Sequence, residues 1–224
     1  MCGRFTLVAP GDAIAELFHI TDTPDIQPRY NIAPTQPVVA VRISPKNKER
    51  ELTHFHWGLI PFWAKDPSYG SRMINARSET AAEKASFRNA IRYRRCLVPA
   101  DGFYEWQKID GRKQPVRIQR KDGGVFAMAG LWEQWQSRDG SEIESCTLLT
   151  TEPNELLTQV HNRMPVILSP DNFDLWLDTA VQNADDVQHL LRPYPGEDMR
   201  FYPVSTHVNN PRNEDPLCIE PLTG

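Results

Sequence analysis

Apolar residues along this chain fall mostly in short runs of strand type, and helical spacing is confined to brief stretches between them. After Pro10-Gly11-Asp12, the positions Ile14, Leu17 and Phe18 predict a short helix with one apolar face. Residues 21–37 carry Pro24, Pro28, Pro34 and Pro37 and predict an irregular loop. Val38–Ile43 and Leu52–Trp57 read as strands joined by the charged turn 46–50, and Pro61 follows as a strand breaker. A capping box at Thr80 and Glu83, with Ala81, Ala82 and Ala85 behind it, predicts a helix. Cys96–Ala100 and Phe103–Trp106 are strands around a tight turn at Asp101-Gly102. Asp-Gly pairs recur at 110–111, 122–123 and 139–140, each flanked by β-type runs, so the centre of the chain reads as an antiparallel meander. Short helices are expected over 154–160, after Ser169-Pro170 with Phe173, Trp176 and Leu177 inward, and over 181–191. Val166–Leu168 and Phe201–Val204 close the list of strands, and the tail from Ser205 reads as a loop that wraps back. No G-x-G-x-x-G or P-loop is present, and there is no interior linker, so residues 1–224 are expected to form one domain.

Composition changes this picture little. The chain has 224 residues, 40% hydrophobic and 24% charged, an ordinary soluble balance. A net charge of −4 argues against nucleic acid unless the basic residues gather on one face. No run of 18 apolar residues predicts a membrane span and no basic-then-apolar leader opens the chain, so a cytoplasmic protein is expected. Cys2, Cys96, Cys146 and Cys218 form no C-x-x-C pair, and free thiols are expected. His54 and His56 share a strand face but lack a third ligand at a convincing spacing, so no metal and no cofactor is expected.

The candidate chemistry begins at Met1-Cys2-Gly3-Arg4-Phe5. Met1 is expected to be removed ahead of a small second residue. Cys2 would then carry an amine with a reference pKa of roughly 7.7–8.0 beside a thiol near about 8.5. Such a pair condenses with an aldehyde to an imine that the thiol closes to a thiazolidine. An inert terminal Cys is the plainer alternative. Phe62 and Trp63 either stack on bases or plug the core. Asn75 and Arg77 alternate in an extended lead-in and face one way. Glu105 sits among aromatics, where a carboxyl gains acid/base character, or else is merely hydrogen-bonded. His161, beside Arg163, is an acid/base candidate or a structural residue. The basic run Arg88, Arg92, Arg94 and Arg95 reads as a solvated face.

Six stretches together resemble the SRAP family (SOS response-associated peptidase; abasic-site processing). They are Met1-Cys2-Gly3-Arg4-Phe5, Arg29-Tyr30-Asn31-Ile32-Ala33-Pro34, Trp57-Gly58-Leu59-Ile60-Pro61, Ile74-Asn75-Ala76-Arg77-Ser78-Glu79-Thr80, Cys96 through Trp106, and His161-Asn162-Arg163-Met164-Pro165. The resemblance implies an α+β fold: a single domain around an antiparallel, barrel-like β-sheet with short flanking helices. It implies a lyase-like activity that crosslinks the protein to abasic sites in single-stranded DNA, with DNA as partner, no cofactor, and a monomer that joins the nucleoid when bound. Cys2 matches the nucleophile, Asn75 the residue that recognises the abasic sugar, Glu105 the acid/base and His161 the ring-opening assistant. Arg4, Arg77 and Arg163 match phosphate-binding positions, while Asn31, Pro61, Phe62 and Trp63 fall in segments that line DNA. A Cys2 (auto)peptidase and a non-covalent single-strand binding module stand as alternatives.

Overall fold

The structure is a computed structural model that describes residues 2–21 and 24–222. Five strands close a ring: β3 (Pro37–Ile43), β4 (Arg50–Trp57), β6 (Arg95–Ala100), β9 (Phe126–Gln136) and β10 (Glu142–Thr151). The order around it is β10-β4-β3-β6-β9, with β9 pairing back onto β10. Closure leaves this ring without free edges. The short strands β5 (Asn75–Arg77), β11 (Met164–Pro165) and β12 (Ile167–Leu168) extend the ring at its margin. A second sheet lies beside it, ordered β13 (Met199–Pro203), β8 (Arg112–Arg120), β7 (Gly102–Ile109), β1 (Phe5–Leu7), β2 (Arg29–Ile32). The helices are short: α1 (Gly11–Phe18), α2 (Ala90–Tyr93), α3 (Phe173–Leu177) and α4 (Asp185–Gln188). The fold is thus the expected α+β arrangement on a barrel. None of the described helices is long and apolar enough to cross a membrane.

The central strands pair antiparallel with one another, β6 with β9, β7 with β8 and β9 with β10, and the ring adds parallel pairs where β10 meets β4 and β5. The Asp-Gly pairs do not all turn hairpins. Asp110-Gly111 does, with φ of 48° and 77° between β7 and β8, and Asp139-Gly140 lies in the loop that returns β9 to β10. Asp122-Gly123 instead carries the chain from one sheet to the other, and so does Asp101-Gly102. That corner is held by the Asp101 carboxylate, which accepts from Thr6 Oγ1 (2.5 Å), Ala9 N (2.8 Å) and Arg117 Nη2 (3.1 Å). A Cβ on Gly102 would fall 2.7 Å from the Arg117 guanidinium and push it off Asp101.

Two other expectations change. Within the proline-rich loop, residues 29–32 form β2, because β1 offers them a free edge at Phe5↔Ile32 and Leu7↔Arg29. The alanine-rich segment from Thr80 is a series of turns and only α2 is helical. Ala81, Phe87, Ala90 and Ile91 are all buried, and at about 100° per residue a regular helix would put Ala81 opposite Ala90. The segments 154–160 and 181–191 likewise shorten, to the 3-10 turn Leu157–Gln159 and to α4. The basic run divides: Arg88 and Arg92 are exposed, as expected, and the other two are not. Arg94 pairs with Glu133, and buried Arg95 donates to the carbonyls of Ile91 and Trp176, tying α2 to α3.

Candidate active site

Cys2 lies where the two sheets meet. On one side Tyr104 N donates to Arg4 O (2.9 Å), so the residues before β1 run along β7 and bring Cys2 against Glu105. On the other side Asn75 Nδ2 donates to Cys2 O (2.8 Å). Asn75 is positioned by register, Leu148↔Asn75 on β10, and by Trp57 Nε1 donating to Ile74 O (2.9 Å). Cys2 and Glu105 are both buried, and along β7 Phe103 and Glu105 face inward while Tyr104 and Trp106 pack in a separate cluster. Burial first, and the Glu105 charge second, push the Cys2 thiol up to about 12, against a smaller pull from the Arg4 backbone N–H. Asn75 Oδ1 is buried and accepts no hydrogen bond among the described residues. An acceptor so placed is suited to a ligand hydroxyl.

Arg4 and Asn31 are held as a unit by the returning tail. Arg4 Nη1 donates to Asn31 Oδ1 (2.7 Å) and to Val208 O (2.8 Å), and its guanidinium lies 5.7 Å from the Trp106 ring centroid. Asn31 is fully buried. Its Nδ2 donates to the carbonyls of Val208, Asn210 and Asn213, so its amide is committed to the fold and is not offered to DNA. Glu214 Oε1 accepts from Asn31 N (2.8 Å) and secures the tail against β2.

His161 closes the loop before β11. That loop is tied to β7 by Gln107 Nε2 donating to Gln159 O (3.0 Å), and its end reaches β10 at Thr150↔Pro165, where β5 also pairs at Thr150↔Arg77. Arg163 N donates to His161 Nδ1 (3.0 Å). A neutral ring with Nδ1 accepting carries its proton on Nε2.

The remaining nucleic-acid positions divide. Phe62 and Trp63 are 56% and 44% exposed, Trp63 packing edge-on against Tyr69, so neither is plugged into the core. Pro61 is buried. Arg77 is exposed. Arg163 is occupied: Nη1 and Nη2 grip Glu79 at 2.6 and 2.9 Å, and Nη2 also donates to Thr150 O. The structure therefore joins Cys2, Asn75 and Glu105 directly, sets Arg4 beside them, and ties the His161 loop to the same strands.

Comparison with known proteins decides the family. Residues 1–211 match the SOS response associated peptidase (SRAP) family. This chain belongs to the SRAP family. It is 45% identical over 224 residues to the abasic site processing protein YoqW of Bacillus subtilis, covering 98% of this chain and 99% of that one. The abasic site processing protein HMCES of Gallus gallus is 34% identical, over 88% of this chain and 67% of its own. A crystal structure from Bacteroides thetaiotaomicron superposes with a TM-score of 0.88 at 27% identity, covering 99% of this chain and 100% of that one.

Two residues of this SRAP site were passed over in the sequence. Trp106 reads in the sequence only as the end of a strand. It carries Arg4 on its face and donates from Nε1 to Asn209 Oδ1 (2.7 Å). Glu79, inside a family motif, gave no signal of its own, yet it decides what Arg163 can bind.

Proposed function

We propose that this protein processes abasic DNA by crosslinking to the open abasic sugar in single-stranded DNA through Cys2, after removal of Met1. The observation that carries the reading is the clamp on Cys2: a backbone fixed by Asn75 and a thiol beside the buried carboxyl of Glu105, in an SRAP chain whose relatives are named abasic site processing proteins. The chemistry balances without a cofactor. The Cys2 amine attacks the C1′ aldehyde, and the carbinolamine loses water to give an imine. Sγ then adds to the imine carbon, and the thiol proton ends on the ring nitrogen, leaving a thiazolidine. Asn75 Oδ1 accepts a sugar hydroxyl, while His161 Nε2–H and Glu105 exchange protons as the sugar opens and water departs. Arg4 and Arg77 bind flanking phosphates, and Phe62 and Trp63 stack on bases.

A Cys2 (auto)peptidase would need only the thiolate, whereas the crosslinking reading also uses the free amine that processed Cys2 carries. The test is a denaturing gel of the processed protein with a single-stranded oligonucleotide carrying one abasic site. A heat-stable shifted band is expected, lost in Cys2→Ala and with undamaged DNA. A band that persists in Cys2→Ala rules the reading out.

A further inference from the structure

The returning tail holds a second group of reactive donor atoms that the DNA chemistry does not use. His207 stands in the 3-10 turn Thr206–Asn209. Asp215 caps the turn Pro216–Cys218, its Oδ1 accepting from Leu217 N (3.0 Å). That leaves Oδ2 to face His207 Nε2 at 3.0 Å. Cys218 ends the same turn, three residues on, with its sulfur 3.4 Å from Asn213 O. One nitrogen, one oxygen and one sulfur thereby lie within 4.8 Å of one another. The three belong to a single stretch of chain, so their approach is set by two adjacent turns.

We propose that His207, Asp215 and Cys218 form a site for a divalent transition metal, zinc foremost, with water in the fourth position. A tetrahedral zinc with bonds of about 2.0–2.3 Å sets its ligand atoms roughly 3.3–3.7 Å apart, so the sulfur needs to move in by about 1 Å while the Nε2–Oδ2 pair opens slightly from 3.0 Å. Thiolate with imidazole selects zinc or cobalt over magnesium or calcium, which take oxygen. The side chains of His207 and Asp215 are 31% and 42% exposed, which gives the ion an entry and the water its place.

The proton balance is explicit. Cys218 releases its S–H proton to solvent on binding. The His207 ring proton leaves Nε2, which takes the metal, and moves to Nδ1. There Asn213 now donates through Nδ2 at 3.0 Å, and it also donates to His207 O at 2.8 Å. Its amide must turn over so that Oδ1 accepts the new Nδ1–H, as partners of metal-bound histidines do. The same tail supplies Val208 O to Arg4 and Asn209 to Trp106. The metal would close residues 207–218 into a clip behind that pair, and this placement does not depend on how Cys2 reacts.

The experiment is a cobalt(II) titration of the full chain, read by absorption. One equivalent is expected to give strong tetrahedral d–d bands and a near-ultraviolet sulfur-to-cobalt band, both erased by zinc. Cys218→Ser should remove the sulfur band, and Cys2→Ser should leave it. His207→Gln, at a partly exposed position, should weaken binding about tenfold or more without depending on how Cys218→Ser folds. Asn213→Asp, which supplies a carboxylate to Nδ1–H, should tighten it. Only weak octahedral bands, a sulfur band that follows Cys2, or affinity unchanged in His207→Gln would overturn the assignment.

Discussion

Glu79→Gln is the most informative single change at the nucleic-acid groove. In the native chain Arg163 is neutralised by a bidentate grip on Glu79. The Glu79 side chain is 50% exposed, so solvent screens the pair and its loss should cost only about 1 kcal/mol of stability. The Arg163 hydrogen bond holds the Glu79 carboxyl below its ordinary value, with burial opposing. A depressed carboxyl stabilises the fold above the unfolded pKa, near 4.5, and that contribution is lost as pH falls through the folded value. Glu79→Gln should therefore be less stable than wild type at neutral pH, and the gap should close in acid. Its effect on DNA runs the other way. A released Arg163 can take a phosphate, and each new contact on a single strand steepens the slope of log K against log salt by about 0.7. Fluorescence anisotropy with an undamaged single strand from low to high salt measures that slope. The double variant Glu79→Gln/Arg163→Gln should return it to the native value. A slope unchanged in Glu79→Gln refutes the reasoning, since Arg163 would then stay on Thr150 and never reach phosphate.

Two further outcomes test the frame around the site. Gly58 has φ 137°, and a Cβ there would meet Gly70 O at 2.6 Å, so Gly58→Ala should destabilise by about 2 kcal/mol or more in urea melts and weaken crosslinking by pushing loop 58–64 off the segment leading to Asn75. Phe62→Ala and Trp63→Ala should each weaken single-strand affinity by about 1–3 kcal/mol in the same anisotropy assay, with Phe62→Ala leaving the melting midpoint nearly unchanged.

The site was legible where chemistry is tied to a residue type or a local repeat. Only an N-terminal cysteine can offer amine and thiol together, and the period of two along 103–106 separates Phe103 and Glu105 from Tyr104 and Trp106, as the two packing clusters do. Alternation along 75–77 likewise sets Asn75 and Arg77 on one side, and the structure buries Ala76 between them. The Asp110-Gly111 hairpin was also local, since two positive φ values suffice to specify it.

What the sequence could not tell was the identity of each partner across the fold. Asn31 and Arg163 look alike as polar groove residues, yet one is spent on four hydrogen bonds to Arg4 and the tail, and the other on Glu79, 84 positions away. Asp101-Gly102 has the composition of a tight turn but becomes a corner between sheets, because its carboxylate is met by Thr6 and Arg117. The alanine-rich segment has helix propensity but is bent by where Ala81 and Ala90 must be buried. The reactive groups, the strand faces and the local turns are readable along the chain, because they depend on neighbours within a few residues. Tertiary structure decided which strands close the ring, which turns change sheets and which charges remain free for DNA, because those outcomes depend on burial and pairing between residues distant in the chain.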